Sequence, residues 1–141
     1  MKTYTQVEAL RLWALKIKEG VMPGYDSNSD ICFYRSSSKK SCAIGVLIPY
    51  EVLSYNISAG VERLGLILEE REGFLVGDMI SGVDMDTLID IQNIHDKSAT
   101  LGVGNKGLFY RYFFEGLQAT GKFKDVPDCV WTEILKDVPS P

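Results

Sequence analysis

The sequence predicts one compact α+β domain over residues 1–141, mostly helical, with a small hairpin or sheet around Ile31–Ile48. Two observations predict it. Apolar residues recur at steps of three and four in several segments, as in helices that bury one face. Near the first of these lie a short aromatic-rich stretch, Ile31 to Arg35, and an unbroken apolar stretch, Cys42 to Ile48, joined by a polar connector. The first of the two reads as a strand. Period alone does not separate a strand from a buried helical turn in the second.

The elements follow in chain order. Thr5 and Glu8 have capping-box spacing, and Val7, Leu10, Ala14 and Ile17 then form one apolar stripe, with Trp13 beside it. Lys16 and Lys18 suit the last turn, and Gly20 suits the stop. Pro23-Gly24 opens a polar loop through Asp30. Pro49 ends the apolar stretch, because it lacks an N–H and restricts Ile48. Ser58 is placed to cap a helix from Ala59 to Arg71, which Gly65 weakens. A short extended stretch is expected within Gly73 to Ile80. Asp84 caps the next helix, which carries Leu88 and Ile91 toward His95. A glycine-rich loop, Leu101 to Gly107, leads into an aromatic helix from Leu108 to Gln118. The last helix spans Pro127 to Asp137, and Pro139-Ser140-Pro141 reads as a frayed tail.

Composition excludes several classes. A net charge of -4 argues against general DNA or RNA binding, which relies on broad Lys/Arg surfaces. The longest uncharged apolar run, Cys42 to Tyr50, is too short to cross a bilayer, so no membrane partner is expected. Met1-Lys2-Thr3-Tyr4 leads into a charged amphipathic segment rather than a signal core, so a cytoplasmic setting is expected. Cys32, Cys42 and Cys129 form no close pair, which speaks against a disulfide framework or a zinc site, and Cys129 beside Val130 and Trp131 reads as a core residue. No metal or cofactor is expected. Gly102, Gly104 and Gly107 spell G-x-G-x-x-G, but Lys97-Ser98-Ala99-Thr100 ahead of them is a poor strand, so a dinucleotide fold is rejected.

Three candidate sites remain. Arg35, Ser38, Lys39, Lys40 and Ser41 belong to a stretch of three cations and four hydroxyls that ends at Cys42. If a helix begins at Cys42, its amides join them as a cradle for phosphate or carboxylate. Asn105, Lys106 and the backbone at Gly107 offer a second anion contact at a helix start. Tyr110 or Tyr112 beside Arg111 would edge a pocket for a base. Finally, Cys42 as nucleophile and His95 as base, with Asp96 beside it, would make a cysteine hydrolase. On the aromatic helix, Phe109, Phe113 and Leu117 form a core stripe, which leaves Tyr110, Tyr112 and Phe114 for another surface.

Cys32-Phe33-Tyr34-Arg35, Cys42-Ala43-Ile44-Gly45-Val46-Leu47-Ile48-Pro49 and Ile91-Gln92-Asn93-Ile94-His95-Asp96 resemble the C-x-Y-R, C-A-I-G-x-L-I-P and L-Q-x-I-H-D motifs of a family of short phage and bacterial proteins. The resemblance covers residues 30–96. Val46 stands where that family commonly has cysteine, Tyr50 where it has aspartate and Ala59-Gly60 where it has Glu-Gly, which removes carboxylates near Pro49. The resemblance implies a phage setting. Phage proteins of this size often counter host defences, some by sequestering a nucleotide signal within a homo-oligomer. The leading expectation is therefore a non-enzymatic protein that binds a small anion, plausibly a phosphorylated nucleotide, through Arg35, Ser38, Lys39, Lys40 and Ser41, with Lys106 and Tyr110 as lesser contacts. The alternatives are the hydrolase and a protein-binding inhibitor with an aromatic face.

Overall fold

The computed structural model describes residues 1–26, 31, 32, 34, 40–52 and 60–141. Helix α1 is Gln6–Lys18, and its capping box is present in full: Thr5 Oγ1 accepts from Glu8 N at 3.1 Å while Glu8 Oε1 accepts from Thr5 N at 2.9 Å. Helix α2, Val61–Glu72, starts two residues after the expected Ala59, and the proposed cap Ser58 lies outside the described residues. Helix α3 is Met85–Leu101, capped by Asp84, whose Oδ1 accepts from Thr87 N at 2.8 Å. Helix α4 is Lys106–Ala119 and helix α5 is Asp128–Lys136.

The α+β expectation is overturned. Among the described residues five α-helices form the fold, and extended structure is slight. Strand β1, Tyr25–Asp26, pairs antiparallel with strand β2, Ile31–Cys32, and one parallel bridge joins Tyr4 to Ile80. Two-residue strands build no sheet layer, so this is a helical protein. The second half of the expected hairpin is absent for a local reason. Residues 43 and 44 form a turn and Gly45–Leu47 a short 3-10 helix, closed by Val46 N on Cys42 O and Ile48 N on Gly45 O. A buried segment whose amides bond within itself offers no ladder to a neighbour. Within 73–80, where a short extended stretch is expected, Leu75 is extended and Ile80 makes the bridge to Tyr4, with a second 3-10 turn, Val76–Asp78, between them.

One core joins all five helices. Helices α3 and α4 pack along each other. On α4, Phe109 and Phe113 stack at 5.8 Å between ring centroids, and Trp13 of α1 meets Phe113 edge-on at 5.6 Å. Tyr110 and Phe114, expected on an outer surface, are fully buried as well. The Tyr110 hydroxyl donates to Ile134 O of α5 at 2.7 Å, so α4 is covered on two sides and loses a simple stripe. Cys129, expected in the core, is exposed on α5. The supposedly frayed tail instead turns back: Pro139 lies against Gly107, at the start of α4. Among the described residues no helix is long and apolar enough to cross a membrane.

Candidate functional site

The end of α1 and the start of α4 face each other, and their charges are opposite in sense. Carbonyls are left over at a helix C-terminus and amides at an N-terminus. Lys106, the first residue of α4, is a cation at the end where the helix dipole disfavours one. Its ammonium donates to Lys18 O, in the last turn of α1, at 3.1 Å. Lys40 donates to Gly20 O at 2.7 Å. Both lysines thereby tie off the C-terminus of α1. Because the acceptor of Lys106 is a neutral carbonyl, that bond satisfies an N–H group without cancelling its charge.

The same two lysines line a cleft of about 420 Å³. Its walls are Gly20, Met22 and Pro23 after α1, Gly102 to Asn105 between α3 and α4, and Phe109 beneath; Pro141 of the tail stands at its edge. No acidic side chain lines it among the described residues. Asn105 caps α4, its Oδ1 accepting from Leu108 N at 3.0 Å. The volume falls in the range of small-molecule sites. A second hollow of about 530 Å³ at the start of α3 is less suited to a guest. There the carboxylate of Asp84 lines the hollow, and Lys122 is neutralised by Asp90 at 2.9 Å.

The expected anion residues divide accordingly. Lys40 and Lys106 come together although 66 positions apart in the chain. Arg35, Ser38 and Lys39 lie outside the described residues. Ser41 is buried, with its N–H on Val21 O at 2.8 Å, so it belongs to the wall behind the cleft rather than to an open loop. No α-helix begins at Cys42, where a turn leads into the 3-10 helix Gly45–Leu47, so the amide cradle that depended on such a helix is not formed. Tyr110 is withdrawn from the site by its burial and its bond to Ile134 O, and burial pushes its hydroxyl up to about 12. Sequence reasoning missed Met22, Pro23 and Phe109 as cleft walls. Only the Pro23-Gly24 turn hinted that the chain changes direction there.

The hydrolase residues do not form a catalytic pair. Cys42 is fully buried, its sulfur accepting from Gly45 N at 3.4 Å, and burial pushes the thiol up to about 12. Lys40, two residues before Cys42 in sequence, donates to Gly20 O. His95 is also fully buried, between the ring edges of Phe109 and Phe113. Its Nε2 accepts from Gly24 N at 3.4 Å, and its Nδ1 donates to Asp96 Oδ1 at 3.0 Å. That network fixes a neutral tautomer with the proton on Nδ1. The nitrogen a general base would use is already taken by the Gly24 N–H. Gln92 also donates to Asp96 Oδ1, at 2.9 Å, which anchors the carboxylate. Among the described residues no three His, Cys, Asp or Glu side chains converge as a metal set.

Burial holds His95 below its ordinary value of 6.5, against the opposing pull of Asp96. The folded state therefore resists a proton that the unfolded chain accepts. The contribution of His95 to stability is expected to be flat above about pH 7 and to fall as pH drops through 6.5, with a slope of at most about 1.4 kcal/mol per pH unit. Glu8 and Asp84 are held below the usual carboxylate range by their hydrogen bonds, so their losses come at lower pH. Urea midpoints at pH 7.5 and 5.5 check this. A His95→Gln variant should lose most of the difference, and parallel behaviour of the two proteins would refute the assignment.

No family model, no curated protein and no solved structure matches this chain. The functional reading accordingly rests on the cleft.

Proposed function

We propose that the protein binds a small anion, in the leading form a phosphorylated nucleotide, and sequesters it without turnover. The single observation that carries this reading is the cleft, with its two ammonium groups and no acidic side chain among the described residues, in a chain of net charge -4. Phosphate on ammonium and on the first amides of a helix gains charge-assisted bonds. Met22, Val103 and Phe109 supply apolar wall for the body of a larger ligand. The phage setting implied by the motif resemblance suits a sequestering protein.

Isothermal titration against cyclic nucleotides and ADP-ribose derivatives tests the proposal. Lys106→Gln keeps a donor for Lys18 O but removes the charge, and together with Lys40→Gln it should weaken a ligand at least about tenfold, as expected for lost charged hydrogen bonds. No heat with any of these ligands, from a folded sample, overturns the reading. A second reading, a protein-binding inhibitor, is favoured by exposed Leu108 and Tyr112, one turn apart on α4, beside exposed Leu101 and Val103. Its complex would survive both lysine substitutions.

A further inference from the structure

Gly107 is the second residue of α4, where glycine is a poor choice. It costs a helix about 0.5–1 kcal/mol relative to alanine. One contact explains it. A methyl group at Gly107 would lie 2.6 Å from Pro139 O, with Val138 Cγ1 at 3.6 Å. The glycine makes room for residues 138–141 to cross the first turn of α4. Their root is tied as well, since Asp137 pairs with Lys18, whose own carbonyl holds Lys106. Beyond the crossing, Pro141 reaches the cleft that Lys40 and Lys106 line. Prolines 139 and 141 restrict the segment and lower the entropy lost on docking it.

We infer that residues 138–141 form a strap that regulates the cleft, lying across the start of α4 and lifting to admit a ligand. The Pro139 carbonyl is a neutral acceptor set beside the positive end of a helix, where an anion's oxygen would do better. A guest therefore competes with the strap, and its apparent affinity is reduced by the fraction of time the strap is down. The inference rests on the cleft being an anion site.

Three proteins decide it: the parent chain, Gly107→Ala, and a chain ending at Asp137. The alanine keeps the helix, so it displaces the strap without removing it. The probe is inorganic pyrophosphate, followed by the amide shifts of Leu108 and Phe109. Strap motion is read separately from heteronuclear NOE values at Val138 and Ser140. A strap that is down about four-fifths of the time gives both variants an affinity about fivefold tighter than the parent. Gly107→Ala should also lower both NOE values. Equal affinity in all three proteins overturns the strap and leaves the anion site standing. Weaker binding in both variants makes the segment a fixed wall of the site and overturns the strap as well. Pyrophosphate binding to none of the three is the failure of the anion site itself, and the strap's regulatory role falls with it.

Discussion

Replacing Gly45 with alanine is expected to destabilise the protein by more than about 4 kcal/mol, a loss that few single substitutions reach. The added carbon would sit 1.8 Å from Tyr34 O, 2.6 Å from Tyr34 C and 3.0 Å from Tyr34 Cα. All three are backbone atoms, so no rotamer change relieves the overlap. Either the chain at Tyr34 or the 3-10 turn at Gly45–Leu47 must move, and both are buried: Tyr34, Cys42, Ala43, Ile44 and Leu47 are nearly inaccessible to solvent. Tyr34 is already an expensive residue to place, because its buried hydroxyl has no hydrogen-bond partner among the described residues. With total stabilities of about 5–15 kcal/mol for domains of this kind, Gly45→Ala should remove a large share of the stability and lower the urea midpoint accordingly. Far-UV circular dichroism and a urea titration measure it. A variant that unfolds within about 0.5 kcal/mol of the parent would show that the chain does not cross at Tyr34 as described. The glycine of C-A-I-G thus has a physical reason that no helix or strand pattern contains.

That reason also marks where the sequence could be read and where it could not. Helix α1 was legible because its signals are local: a cap and its partner three residues apart, then an apolar stripe. Asp84 was legible for the same reason. Cys42 to Ile48 was not, since a run with no polar residue has no period to distinguish a turn from a strand. Tyr110 misled because a helix buried on two faces loses its polar stripe, and only the approach of α5 shows that its hydroxyl has a partner. Cys129 misled in the opposite direction, its neighbours Val130 and Trp131 pointing inward while it does not. The cleft was half legible. Lys40 and Lys106 were each named for an anion, on separate grounds and in separate loops. Nothing in the chain announces that one reaches for a carbonyl in the last turn of α1 and the other for a carbonyl just past it, because helix C-termini are satisfied by whatever donor the tertiary fold brings.

Trp13→Ala should be the other large effect, about 3–5 kcal/mol, the usual cost of deleting a fully buried large aromatic ring. The indole is inaccessible and stands edge-on to Phe113 and Phe123, at 5.6 and 6.4 Å. Its Nε1 donates to Ala43 O at 2.8 Å, tying α1 to the turn that Gly45 makes possible. Trp13→Phe separates the two contributions. It keeps an aromatic ring but removes the donor, leaving the Ala43 carbonyl buried and unpaired at a cost of about 1–3 kcal/mol. Urea unfolding of both variants checks this, and a Trp13→Phe variant as stable as the parent would show that the carbonyl finds another donor. The consequence reaches the cleft through the rings. Phe113 touches Trp13 on one side and stacks on Phe109 on the other, and Phe109 forms part of the cleft wall. Close-packed interiors pass such a loss to their neighbours rather than absorbing it. Trp13→Phe should therefore weaken whatever ligand the cleft holds, although the substituted side chain is not among those lining it.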